Sequence, residues 1–260
     1  MAPSTARFLF LGLAGTFVAC GGSSDGGEGD LGKVRFSLVS NYSDNSDLSA
    51  PVATGRPIFV ALQRPKDGFL DDETFVNLTL QVQRSDGSEV ESVWPMGFAQ
   101  YGVMLEEAGA YRLVAMDGGQ RIDRIEIKAD DLTGIELSRR VFVTTSYESA
   151  GRSCTKLEEV QGIENVTLHQ NQRIEVAVLP KNGGSQNLLG LLALTARGPS
   201  SVMLDAQILG QGRLANSFII KPDGPLPSQI DLTITEEEAG LSIPVSVKAK
   251  DVDFVLDCTQ

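Results

Sequence analysis

Few side chains in this sequence are of the kinds that carry enzyme chemistry. The chain of 260 residues has one histidine, His169, so any Ser-His-Asp triad would have to use it. A single histidine also excludes histidine clusters and most zinc sites, which need several nitrogen or sulfur ligands. His169 lies in a polar segment beside a turn, where a solvated histidine is the ordinary case. No Walker A motif is present. We therefore predict that the protein is not an enzyme and holds no cofactor or metal.

Acidic clusters are the second candidates for chemistry. Paired carboxylates serve glycosidases and bind calcium, but none of these clusters has the spacing of an EF-hand loop. Runs of acidic residues are usually solvated surface, and a calcium site near the pair at 130 and 131 is the minor alternative. The clusters are Asp44 and Asp47; Asp71, Asp72 and Glu73; Asp130 and Asp131; and Glu236, Glu237 and Glu238.

One short aromatic stretch is a candidate binding site. Trp94 is the single tryptophan and is followed by Pro95, Met96, Gly97 and Phe98. Exposed apolar patches mark contact sites, so Trp94 and Phe98 could form a platform for a sugar or a peptide. A lone tryptophan inside a β-sandwich is more often part of the core, and that alternative stays open.

The start of the chain reads as a targeting segment. Residues 8–19 are apolar or small, Arg7 is the one charged side chain before them, and Cys20 follows directly. A Gly/Ser/Asp run then occupies 21–30. Twelve apolar residues are too few for the roughly 20 that a bilayer-spanning helix needs, and they match the apolar region of a secretory signal.

This arrangement resembles a bacterial lipoprotein signal peptide. The resemblance implies cleavage before Cys20, a diacylglyceryl thioether on its sulfur and a further acyl chain on its amine. Two or more acyl chains give stable anchoring. Gly21 stands where an aspartate would mark inner-membrane retention, so the resemblance implies the outer membrane of the cell envelope. The alternative is an ordinary secreted protein cut near Ala19, with an incidental thiol at Cys20.

The net charge and the number of cysteines bear on the partners and on the covalent structure of the protein. The net charge is −12, which makes the chain a poor partner for nucleic acid. With Cys20 lipidated, Cys154 and Cys258 remain, and an even remainder in an exported protein predicts one disulfide. Two buried free thiols are the alternative.

Short segments in which apolar and polar residues alternate supply the secondary structure that positions these candidate residues. Apolar and polar residues alternate over 34–38, 78–82 and 174–178, which predicts half-buried strands. Asp86-Gly87 supplies a tight hairpin turn. We find no convincing helical periodicity over ten or more residues, so the sequence predicts an all-β fold.

The segment 102–116 carries the most specific fold motif. An acidic pair precedes Gly109 and Tyr111, and a strand follows that ends in a turn at 117–120. This resembles the tyrosine corner of immunoglobulin-like sandwiches, in which the tyrosine hydroxyl bonds back to the backbone. The resemblance covers roughly 31–130 and implies a structural role for Tyr111.

The second half of the body has fewer landmarks. We expect an opening strand at 141–145, a central strand covered on both faces at 188–194 and an edge strand at 251–258. The acidic run 236–240 echoes the one before Tyr111, although no tyrosine follows it.

The predicted organisation has four parts: a signal peptide at 1–19, a disordered tether at 20–32, an immunoglobulin-like sandwich at 33–131 and a second one at 132–260. The predicted function is that of a lipid-anchored surface or periplasmic lipoprotein with a structural or protein-interaction role. Its partners would be the membrane, through Cys20, and a protein or a glycan. The alternative is a carbohydrate- or peptide-binding module that uses the loops around Trp94.

Overall fold

The computed structural model describes residues 27–39, 48–64, 68–69, 78–149, 152–207 and 216–256. The predicted signal peptide, Cys20 and Cys258 lie outside these ranges. Four β-sheets make up two sandwiches, each with its own buried apolar core, so the predicted all-β fold with two immunoglobulin-like domains is confirmed. The only helix in the described part of the chain is a three-residue 3-10 turn, and no described helix is long and apolar enough to cross a membrane.

The first domain pairs two sheets in the immunoglobulin order. One sheet runs β1-β2-β4-β9-β8, with β5 attached to β4, and the other runs β3-β11-β10-β6-β7. Every neighbouring pair is antiparallel except β3 with β11. The strands are β1 Gly27–Glu28, β2 Arg35–Leu38, β3 Val52–Ala53, β4 Pro57–Arg64, β5 Gly68–Phe69, β6 Leu78–Arg84, β7 Glu89–Val90, β8 Val93–Gly97, β9 Gln100–Met104, β10 Gly109–Asp117 and β11 Gln120–Asp130.

The second domain repeats this strand order. One sheet runs β13-β12-β15-β18-β17 and the other β14-β20-β19-β16, with β14 parallel to β20. It differs from the first domain in its first hairpin, which consists of the long strands β12 and β13 and precedes β14. The elements are β12 Gly134–Ser149, β13 Arg152–Gln161, the 3-10 helix Ile163–Asn165, β14 Thr167–His169, β15 Gln172–Lys181, β16 Leu194–Arg197, β17 Val202–Gln207, β18 Ser217–Pro222, β19 Gln229–Glu236 and β20 Leu241–Lys250.

Alternation of side chains explains most strands. In β19, Ile230, Leu232 and Ile234 are buried while the residues between them face solvent or lie half-buried, as the period of two requires. The turns at 85–88 and 117–120 close hairpins where the sequence predicted them. Local pattern therefore sets the framework of both domains.

Two expectations for individual segments are wrong, and one similarity between segments does not extend to their positions in the fold. The apolar run 188–194 is not a central strand, because most of it lies between the two cores as a connection and β16 begins only at Leu194. Residues 251–256 form no strand. The acidic run 236–240 lies in the turn between β19 and β20, whereas the run before Tyr111 leads into the penultimate strand of its domain.

Ordered structure also begins earlier than the sequence suggested. β1 lies inside the predicted tether and pairs with β2, through Gly27 opposite Phe36. At the other end of this domain, β11 ends at Asp130 and β12 begins at Gly134, so only three residues separate the two sandwiches.

Candidate functional site

The β8–β9 hairpin carries the aromatic residues that the sequence singled out. Gly97 pairs with Gln100, so Phe98 and Ala99 form a two-residue turn with φ of 49° and 55°. Positive φ at both positions is the geometry of a type I′ turn, which normally uses Asn and Gly. A bulky side chain in this region of φ costs about 1–2 kcal/mol.

Trp94 lies on β8, at the edge of its sheet. It pairs with Gly102 on β9, and a Cβ at position 102 would collide with the indole. The glycine therefore lets the ring rest on the backbone of β9 while 39% of the residue stays exposed. The structure thus places Trp94 at the surface and not in the core.

Three apolar side chains make this hairpin the most exposed apolar feature among the described residues of the first domain. Phe98 is 79% exposed and Met96 is 47% exposed, and both follow Trp94 on the same element. We call Trp94, Met96 and Phe98 the hairpin tip. Met96 was not among the site residues that the sequence predicted. It lies where the register of β8 against β9 shifts, between Pro95 and Gly97, so simple alternation along the strand does not place it.

The hairpin tip lies at the same end of its sheet as Gly27, the first residue that the structure describes. A row of contacts crosses the sheet at one level: Gly27 pairs with Phe36, Phe36 pairs with Leu62, and the N–H of Leu62 donates to the carbonyl of Ala99 at 2.9 Å. Leu31, in the turn after β1, is 58% exposed.

A buried carboxylate holds the turn after β1, residues 29–34, which we call the entry turn. Asp123 on β11 is fully buried and accepts hydrogen bonds from the backbone N–H groups of Leu31, Lys33 and Val34 at 2.8, 2.7 and 2.9 Å, and from Arg124 at 2.9 Å. Burial alone would raise the pKa of Asp123, but the four N–H donors outweigh it and hold the pKa below its ordinary value. The entry turn is therefore part of the folded domain.

A short segment joins the two domains. We call residues 187–193 the joint segment. Leu189 exchanges backbone bonds of 2.7 Å with Pro51 and Ala53 of the first domain, and the N–H of Leu191 donates to Pro57 at 2.9 Å. Leu189 and Leu191 belong to the first core, whereas Leu192 belongs to the second. The connection after β15 therefore packs into the neighbouring domain.

Buried polar groups complete the joint. Arg56 of the first domain contacts Glu236, the last residue of β19, at 2.9 Å and Glu238, in the turn that follows, at 2.6 Å, and the Glu236 side chain is fully buried. Asn216 accepts the N–H of Leu192 and donates to the carbonyl of Gly190, each at 2.8 Å. Each of these contacts favours the observed arrangement, because a slip of one domain would leave the charge or the donor in it unpaired.

The remaining predicted site residues are spread over the body. The hydroxyl of Tyr111 donates to the carbonyl of Glu107 at 2.8 Å, the bond that a tyrosine corner makes. His169 packs edge-on against Phe254, with ring centroids 5.3 Å apart. Cys154 lies on β13 opposite Tyr147. The described part of the chain contains no group of three or more His, Cys, Asp or Glu residues arranged to hold a metal ion.

The acidic pair at the domain junction has protein partners. Asp130 accepts a bond from the Asn182 amide at 2.8 Å and one from the N–H of Asp131 at 2.9 Å. The hydroxyl of Thr54 donates to Asp131 at 3.3 Å. These contacts tie the end of β11 to the loop after β15.

Comparisons with known proteins concern the fold. No protein-family model and no curated protein matches the chain. Domains 5–6 of the S-layer protein SbsC align with 85% of this chain and 100% of theirs, at 13% identity and a TM-score of 0.30. The Escherichia coli adhesin FdeC aligns with 84% of this chain and 64% of its own, at 14% identity and 0.29. The titin tandem A164-A165 aligns with 84% and 97%, at 10% identity and 0.27. At these identities and TM-scores we transfer no function.

Proposed function

We propose that the chain is a lipid-anchored lipoprotein of the bacterial cell envelope, at the surface or in the periplasm, with a non-enzymatic structural or protein-interaction role. In this proposal an acylated Cys20 holds the protein on the outer membrane and the two sandwiches form one stalk. The observation that carries it is the joint segment, which makes the two domains share buried contacts. A stalk needs such a joint, because domains on a flexible linker would move independently.

The joint has the properties of a fixed connection. Its apolar residues are divided between the two cores, and Arg56 inserts a buried charge into a carboxylate pair of the other domain. Gly190 in the joint has φ of 140°, and a Cβ there would approach the Cβ of Arg56 to 2.8 Å. The close approach of the two backbones therefore supports a stalk with one preferred orientation.

The test uses cells that express the full-length gene. We expect wild type in the outer-membrane fraction and Cys20→Ala in the soluble fraction, because acyl chains supply the membrane affinity. Protease treatment of intact cells would then separate an outward-facing protein, which is digested, from a periplasmic one, which is protected. Equal distribution of wild type and Cys20→Ala would refute the anchor.

A disulfide between Cys154 and Cys258 fits this proposal. The Asn171 side chain accepts the N–H of Phe254 at 2.8 Å and donates to its carbonyl at 2.9 Å, while the Asn171 carbonyl accepts the N–H of Ser146 at 3.0 Å. These bonds place Phe254, four residues before Cys258, beside the β12–β13 hairpin that bears Cys154. The bond would fasten the C-terminal segment to that hairpin, and the mass of non-reduced peptides tests it.

Binding of a carbohydrate or peptide near Trp94 is the second candidate function. The observation that favours it is the exposed indole beside an exposed Phe98. A sugar stacked on Trp94 would change its fluorescence, and no other tryptophan would obscure the change. Saturable titration that disappears in Trp94→Ala would support this function.

A further inference from the structure

We propose that the hairpin tip, Trp94, Met96 and Phe98, rests on the lipid surface that carries the anchor. This inference rests on the acylation of Cys20 proposed above and deepens it. It turns the membrane from a remote attachment point into a direct contact of the first domain.

Position is the first argument. Gly27 and Ala99 lie at one level of the sheet, three strand spacings apart. Neighbouring strands are about 4.8 Å apart, so this separation is about 14 Å. The second domain joins at the opposite end, where β4 begins at Pro57 and contacts the joint segment.

Chain length is the second argument. Seven residue steps separate Cys20 from Gly27. A chain spans at most about 3.6 Å per residue, so an acylated Cys20 lies within about 25 Å of Gly27. The hairpin tip is closer to Gly27 than that limit, so this anchor keeps it within reach of the bilayer interface.

Chemistry is the third argument. In the described part of the first domain, four large apolar side chains are exposed: Leu31 in the entry turn and the three residues of the hairpin tip. Tryptophan favours the membrane interface, and phenylalanine gains by leaving water. Phe98 adopts positive φ at the turn, where a small polar residue would fit with less cost.

The alternatives are weaker on the same observations. Pro95 in the middle of β8 has no N–H to donate, which weakens the addition of a peptide strand at this edge. A second copy of the chain would bring together two bodies of net charge −12. Contact with a neutral lipid surface requires no N–H from Pro95 and brings no second negative charge close to the protein.

The experiment uses the acylated protein, expressed from the full-length gene, purified from membranes and reconstituted into phosphatidylcholine vesicles that contain doxyl-labelled phosphatidylcholine. Trp94 is the only tryptophan, so its emission reports the hairpin tip alone. Flotation of the vesicles measures anchoring in the same sample. We expect wild type to float, with blue-shifted and quenched Trp94 emission.

The decisive variant is Phe98→Asn. Asparagine tolerates positive φ, so we expect it to fold and to unfold at the same or a higher temperature than wild type. It should still float but lose most of the quenching. Met203→Ser is the matched control, because Met203 is 42% exposed on the second domain and resembles Met96 in exposure. This control should keep wild-type quenching.

Each other result would overturn the inference. Flotation without quenching would refute the lipid contact and leave the anchor intact. Equal quenching in wild type and Phe98→Asn would refute the role of the tip. Absence of flotation would refute the anchor and, with it, this inference. A fluorescence response to soluble oligosaccharides, without any response to vesicles, would assign the tip to a glycan.

Discussion

Replacing Asp123 with asparagine should destabilise the first domain strongly. One carboxylate oxygen accepts from Leu31 and Arg124, and the other accepts from Lys33 and Val34. The asparagine amide NH₂ would face one of these donor pairs and leave both donors without an acceptor. A hydrogen bond to a charged group contributes about 1.5–3 kcal/mol, and two of them, partly solvated, give a loss of about 3 kcal/mol.

Urea unfolding followed by Trp94 fluorescence measures this loss, because the only tryptophan lies in the first domain. With a denaturant slope of about 1–3 kcal/mol per molar, the midpoint should fall by about 1–3 M. Asp117→Asn, at the exposed end of β10 in the same domain, is the control, and surface substitutions of this kind stay within about 0.5 kcal/mol. Equal midpoints for Asp123→Asn and Asp117→Asn would refute the role assigned to Asp123.

The same carboxylate predicts a pH dependence. Its pKa is lower in the folded protein than in the unfolded chain. Its stabilisation is therefore fully present above the unfolded pKa, near 3.9, and is lost as the pH falls through the folded value. The difference in stability between wild type and Asp123→Asn should accordingly be constant near neutrality and shrink below about pH 4. A difference that stays constant down to pH 2 would contradict this account.

Three further substitutions test the remaining contacts. Tyr111→Phe removes the bond to the Glu107 carbonyl and should cost about 1 kcal/mol in urea unfolding. Arg56→Met removes the cation beside the buried Glu236 and should cost about 3–5 kcal/mol. The double variant Arg56→Met/Glu236→Leu should recover only part of this loss, because the N–H groups of Ala193 and Ala239 then lose their acceptor, and a double-mutant cycle measures the difference. Phe98→Asn should raise stability by about 1 kcal/mol in thermal unfolding because it relieves the backbone at the turn; no gain would contradict the cost assigned to that turn.

Features that depend on short-range pattern could be predicted from the sequence. The alternation of apolar and polar residues predicted the strand that begins after Val34, and the pair Asp86-Gly87 predicted a hairpin turn. Both signals depend only on residues that are close together in the sequence. The motif around Tyr111 belongs to this group, since its partner, Glu107, lies only four residues away.

Features that depend on distant partners could not be predicted. Asp123 meets residues about ninety positions earlier in the chain, and Arg56 meets Glu236 across the joint. The run 188–194, most of which belongs to the joint segment, was predicted to be a central strand. An apolar run buried between two domains has the same composition as a strand covered on both faces, so the sequence alone does not separate the two. The positive φ of Phe98 has no sequence counterpart, because phenylalanine is not a residue expected there.

Intact mass and detergent partitioning of wild type against Cys20→Ala, each expressed from the full-length gene in a bacterial host, test the central claim most directly. The account predicts that wild type enters the detergent phase with the mass of acyl chains on Cys20, and that the variant stays in the aqueous phase without that mass. An aqueous, unacylated wild type would contradict the anchored stalk and leave a secreted two-domain protein in its place.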